Sequence, residues 1–116
     1  MDLTRNKALV KRYFTMWNTG NTEEADEVLA PDYVDHAHPE VKGPDVVKST
    51  LPKIRAAIPD FQITCEQIIS EGDMVAVRGS MRRTLQGTVS HSHVIWLVRI
   101  AHGQMAEMWT GTEASR

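Results

Sequence analysis

One cysteine in 116 residues leaves no partner for an intrachain disulfide. The fold is therefore not stapled covalently, and a lone Cys65 fits a reducing compartment. No stretch approaches the ~20 apolar residues that a membrane-spanning helix needs. The opening Met1-Asp2-Leu3-Thr4-Arg5-Asn6-Lys7 lacks the apolar run of a secretion signal, so a cytoplasmic location is expected. Neither sign of charge is in excess: 13 Lys and Arg stand against 15 Asp and Glu, a formal net charge of -2. That balance gives no electrostatic reason to expect nucleic acid or an anionic membrane as partner. There is no glycine-rich phosphate loop, no serine or cysteine nucleophile motif and no established zinc spacing. Linkers, low-complexity tracts and internal repeats are absent too.

What is present is an ordinary globular composition, 41% hydrophobic and 24% charged. The length fits one domain, expected to span 1–116. Leu3, Val10, Tyr13, Phe14 and Trp17 fall at helical spacing and predict a first helix ending near Asn18-Thr19-Gly20-Asn21. Thr22 would cap a short second helix, with Glu23 and Glu24 in its first turn and a stop at Ala30-Pro31. Asp32 to Pro39 reads as irregular or strand-like. A third helix opens at Gly43-Pro44-Asp45 and closes at Ile58-Pro59-Asp60; Pro52 inside it predicts a kink or a break.

The second half reads as strands, about Phe61–Ser70, Met74–Thr84, His91–Ile100 and Gln104–Thr112. Glu71-Gly72-Asp73 and Ala101-His102-Gly103 are hairpin turns, and Leu85 to Ser90 reads as a longer connection. Helices first and strands last predict an α+β domain: N-terminal helices packed on a curved antiparallel sheet, forming a cone with a central pocket.

Several segments carry a resemblance. They are Tyr13-Phe14 with Trp17-Asn18-Thr19-Gly20-Asn21, Leu29-Ala30-Pro31-Asp32-Tyr33-Val34-Asp35-His36, Ile58-Pro59-Asp60-Phe61, Glu71-Gly72-Asp73 with Val75-Ala76-Val77-Arg78-Gly79, and Gly103, Glu107 and Trp109. In order and spacing the chain resembles the SnoaL-like polyketide cyclase group of the nuclear-transport-factor-2-like superfamily. The resemblance implies a small pocket enzyme working without a cofactor. Such an enzyme would cyclise or isomerise a hydrophobic carbonyl compound by acid–base chemistry. The alternative is a non-catalytic ligand-binding or dimerisation module on the same fold, since one fold hosts many functions. In the cyclases an acidic residue four positions after the last-strand tryptophan acts as general acid/base; here that position holds Glu113 in place of the usual aspartate. The resemblance also singles out His36, in Asp35-His36, as a pocket candidate.

The residues themselves supply the rest of the candidate site. Glu113 in an apolar pocket would have its pKa raised toward the range useful for proton transfer; near the chain end it would equally sit in solvent. Arg78, a charge among small apolar residues, would hold a developing oxyanion or form an ion pair with Glu107 or Asp73. His91 and His93 alternate on a strand and share a face, while His36 and His38 repeat the spacing; a polar rim is favoured over a metal site. Trp17, Trp96, Trp109 and Tyr33, with His93, are candidates for contacting a flat hydrophobic ligand; as aromatics they also fit a core. An apolar outer sheet face predicts a homodimer.

Overall fold

A computed structural model describes residues 2–113. Helix α1, Leu3–Thr19, starts where the Asp2 carboxylate accepts the Arg5 amide at 3.0 Å. It stops at Gly20, whose left-handed backbone lets its amide donate to the Met16 carbonyl at 2.8 Å. Helix α2 is short, Ala25–Val28, and runs into strand β1, Leu29–Asp35. Pro31 therefore lies within a strand rather than ending a helix. It can do so because β1 is a sheet edge, where a missing donor breaks no ladder.

Helix α3, Gly43–Ala57, continues through Pro52 as one helix, so the expected break into two pieces does not occur. Pro52 lies on the exposed side, so the hydrogen bond it forfeits is one that water replaces. Strands β2 (Gln62–Glu71), β3 (Met74–Leu85), β4 (Thr88–Ala101) and β5 (Gln104–Thr112) form an antiparallel meander. The expected longer connection after Leu85 is a tight hairpin: Leu85 pairs with Thr88, and Gln86 and Gly87 take positive φ, 50° and 81°. His102 and Gly103, at 53° and 75°, make the same kind of turn.

The sheet order is β1-β5-β4-β3-β2, and β1 adds in parallel to β5, opposing Asp35 to Met108. The result is the expected helices-on-a-curved-sheet fold, with a mixed and unclosed sheet. Alternation along the strands sends Val75 and Val77, then Val94, Trp96 and Val98, to the helix-covered face. Two contacts set the shape of that face. Asn18 pairs its side-chain amide with the Ile63 backbone, donating at 2.8 Å and accepting at 2.7 Å, which ties the end of α1 to the edge strand β2. Gly79 leaves room for the Trp96 ring: a Cβ there would lie 2.3 Å from the Thr64 carbonyl oxygen and 3.1 Å from the ring.

Candidate functional site

Between α1, the end of α3 and the covered face lies a cavity of about 220 Å³. Tyr13, Phe14, Trp17, Phe61 and Trp96 give it an aromatic wall, and Asp35, His38, Arg83 and Thr110 add polar groups. The aromatic rings pack on one another, Phe14 on Trp96 at 4.7 Å and Trp17 on Phe61 at 6.0 Å, so the wall is set before any ligand arrives. A second lobe of about 200 Å³ continues from it past Glu40, Val41 and Val47, sharing Tyr13, Trp17, Asp35, His38 and Ile54.

Asp35 is the buried charge of this cavity. It ends β1, two residues after the fully buried Tyr33, and so shares its face. The chain then folds back on itself. The Asp35 carboxylate accepts the Ala37 amide at 2.9 Å, the Asp35 carbonyl accepts the His38 amide at 3.1 Å, and Val41 donates to His38 at 2.8 Å. Burial raises the Asp35 pKa above its ordinary value, with the Ala37 amide and the His38 ring pulling the other way. Burial likewise pushes the Tyr13 phenol up to about 12 and the Tyr33 phenol higher still, so both remain neutral donors. The Tyr33 hydroxyl is buried and makes no hydrogen bond among the described residues.

The residues singled out from the sequence divide between the two faces. Trp17 and Trp96 line the cavity, and Tyr33 lies behind it in the core. Glu113, Arg78 and His93 do come together, but on the open face, around a groove of about 290 Å³ with Glu66, Ile95 and Gly111. The physical reason is parity. Arg78 alternates with the buried Val77 and Gly79. Glu113 shares a face with Glu107, Trp109 and Gly111, opposite to the cavity residues Met108 and Thr110. Trp109 and Glu113 thus share a face, as their even spacing predicts, and it is the open one.

His36 is also on that side. Its ring stacks on Trp109 at 4.8 Å and 5°, and its Nε2 lies 2.7 Å from Glu107 Oε2. Arg99 Nε donates to the other Glu107 oxygen at 2.6 Å, so Glu107 pairs with Arg99 and His36, and not with Arg78. His91 and His93 point outward from β4 as expected from their alternation, and His38 stands apart near Glu40. No three metal-ligating side chains gather among the described residues.

Sequence reasoning passed over Asp35, Arg83 and Thr110. For Asp35 a signal was present: an acid two places after an aromatic residue that a strand would bury.

Helices packed on a curved, unclosed mixed sheet are the α+β cone architecture of the nuclear-transport-factor-2-like proteins. The chain belongs to the SnoaL-like domain family, which matches residues 10–108. No functionally curated protein matches it in sequence. Among solved structures it is similar to TsrD from Streptomyces laurentii, at 17% identity over 97% of this chain and 91% of that one, TM-score 0.82. A Bacillus cereus ATCC 10987 protein is 21% identical over 95% of this chain and 75% of its own, TM-score 0.81. A SnoaL-like polyketide cyclase from Agrobacterium tumefaciens C58 is 15% identical over 97% and 93%, TM-score 0.78. Among the described residues no helix is long and apolar enough to cross a membrane.

Proposed function

We propose that the protein is a small acid–base enzyme that enolises a hydrophobic carbonyl compound in the aromatic cavity, leading to ring closure or isomerisation, with Asp35 moving the proton. The observation that carries this reading is a carboxyl whose pKa is raised by burial, set in an aromatic wall and held in no ion pair among the described residues. Asp35 takes a proton from carbon next to the carbonyl and returns it at the new position or to the new alkoxide. Tyr13, a neutral phenol lining the same cavity, donates to the carbonyl oxygen as charge develops on it. Trp17, Phe61 and Trp96 hold the flat substrate and exclude water. Proton transfer of this kind asks for no cofactor. Similarity to a polyketide cyclase fits a substrate of fused rings and ketones.

This reading moves the acid/base role from Glu113 to Asp35, because Glu113, Arg78 and His36 flank the open face. Their position there supports a different task, an interface between two copies of the chain. Exposed Ile69, Ile95, Leu97 and Trp109 give that face an apolar centre, flanked by both signs of charge.

The test is hydrogen exchange at the α-carbon of 2-tetralone in D2O, followed by NMR. The wild-type protein is expected to accelerate exchange, Asp35→Asn to lose at least ~100-fold of that acceleration and Glu113→Gln to retain it within about twofold. Binding of 2-tetralone without accelerated exchange would replace the enzyme by a ligand-binding module on the same fold. Exchange lost in Glu113→Gln and kept in Asp35→Asn would return the role to the open face.

A further inference from the structure

The cavity wall contains a cation that the protein leaves unused. Three arginines are held, Arg12 by Glu24, Arg99 by Glu107, and Arg55 by the carbonyls of Phe61 and Pro59, while Arg5, Arg78 and Arg82, unpaired among the described residues, are exposed and outside this cavity. Arg83 makes no ion pair and no side-chain hydrogen bond among the described residues, yet it is half-buried and faces the cavity. Its neighbour Arg82 alternates to the open face and is exposed.

The carboxylates that might have answered Arg83 are engaged elsewhere. Asp60 is committed to Thr84, one oxygen accepting the amide at 2.9 Å and the other the hydroxyl at 2.6 Å. Asp35 lines the same cavity and makes no ion pair with Arg83 among the described residues; its carboxylate accepts the Ala37 amide. The cavity thus has a proton-transfer group at one place and a free guanidinium at another, with Phe61, Ile63, Met81 and Trp96 among the wall residues. Holding a guanidinium against an apolar wall costs free energy that an incoming anion returns. Its planar fork matches a carboxylate with two parallel hydrogen bonds.

We propose that the ligand is a compact anion, a hydrophobic ring compound bearing a carboxylate, and that Arg83 anchors that carboxylate while the rings lie against the aromatic wall. The placement of its reactive carbon at Asp35 rests on the acid–base function proposed above; the anchoring itself does not. The volume limits the size. The lobe that Arg83 lines, about 220 Å³, lies below the ~300–1,000 Å³ of pockets for drug-sized ligands and takes one or two fused rings, with the second lobe of about 200 Å³ beside it.

Titration calorimetry with 2-naphthoate and its uncharged counterpart 2-naphthamide tests the anchor. Naphthoate is expected to bind at least ~10-fold more tightly than the amide. Arg83→Gln should abolish that preference while leaving amide affinity within twofold, which also shows the cavity is intact. Arg83→Lys should keep part of the preference, and Arg82→Gln all of it. Equal affinity for the two probes, equal losses in Arg82→Gln and Arg83→Gln, or no binding of naphthoate at millimolar concentration each overturns the proposal. Asp35→Asn separates the two ideas. A naphthoate preference that survives in Asp35→Asn, with tetralone exchange unaffected by that substitution, removes the acid–base function and leaves the anchor. Exchange that depends on Asp35, with no naphthoate preference, removes the anchor alone.

Discussion

Trp96 and Trp109 sit on neighbouring strands and on opposite faces of one sheet, and the sheet treats them differently. Trp96 is buried, packs on Phe14 and finds its space because residue 79 has no side chain. Trp109 is exposed and carries the His36 ring on its surface. Charge follows the same division. On the covered face Asp35 is buried without a neutralising ion pair and its pKa is raised; on the open face Glu107 is held between His36 and Arg99 and its pKa is lowered. A carboxylate matched by its neighbours is explained by structure. A carboxyl kept at a cost calls for a functional explanation, and that contrast supports the proposed acid/base role of Asp35.

The largest effect separating the faces should come from the two tryptophans. Trp96→Ala is expected to lower stability by about 3–5 kcal/mol, as for other buried aromatic truncations. Trp109→Ala should cost under about 1 kcal/mol in the monomer. Urea unfolding followed by circular dichroism measures both. Comparable losses would mean that the open face is not a free surface in solution, and would point to a partner copy covering Trp109.

That comparison also marks what could be read from the sequence. Periodicity located α1, α3 and the four C-terminal strands, because Leu, Val, Ile and Trp at regular spacing have only one way to be buried. Parity was harder. Even spacing joins Trp109 to Glu113, but spacing alone does not say which face of the sheet they share. Glu107 carried the answer: a charge in the same parity class is cheapest on the side with room for Arg99 and His36. Asp35 was hidden for another reason. Its strand pairs in parallel with β5, some seventy residues away, so no local hairpin announces it, and Pro31 disguises its start. The hairpin at Gln86-Gly87 was obscured because glutamine is an unusual occupant of a left-handed turn position.

A middle-sized effect should appear at Asp35, with a sign opposite to most buried substitutions. Its folded-state pKa is raised above the ordinary 3.8, so between the two values the folded chain holds more protons than the unfolded one. Stability then falls as pH rises from the ordinary value through the raised one. Asp35→Asn removes the penalty and retains an acceptor for the Ala37 amide. It is expected to stabilise the protein by about 1 kcal/mol at pH 7, with the gain shrinking toward pH 3.5. Thermal unfolding across that range checks it. A destabilised variant at pH 7 would make Asp35 a structural residue.

The open face should respond in the reverse sense and more weakly. Glu107 has a folded-state pKa below the ordinary 4.5, chiefly through the hydrogen bond with His36 and then that from Arg99. Its contribution is present above the ordinary value and is lost as pH falls through the lowered one. The Glu107 side chain is 23% exposed and its partners His36 and Arg99 are 42% and 39% exposed, so solvent screens the cluster. Glu107→Gln is therefore expected to cost at most about 1 kcal/mol at pH 7, less in high salt, and to flatten the acid limb of the stability profile. Unfolding at low and high ionic strength measures this. The sign is the informative part: a double variant with Asp35→Asn should gain near neutrality from the covered face and lose on the open face, the two terms adding approximately because Asp35 and Glu107, although neighbours across the β1–β5 pairing, lie on opposite faces of the sheet. A strong coupling between the substitutions would mean that the β1–β5 pairing, which sets Asp35 opposite Met108 and lets His36 donate its amide to the Met108 carbonyl at 2.9 Å, transmits the state of one face to the other.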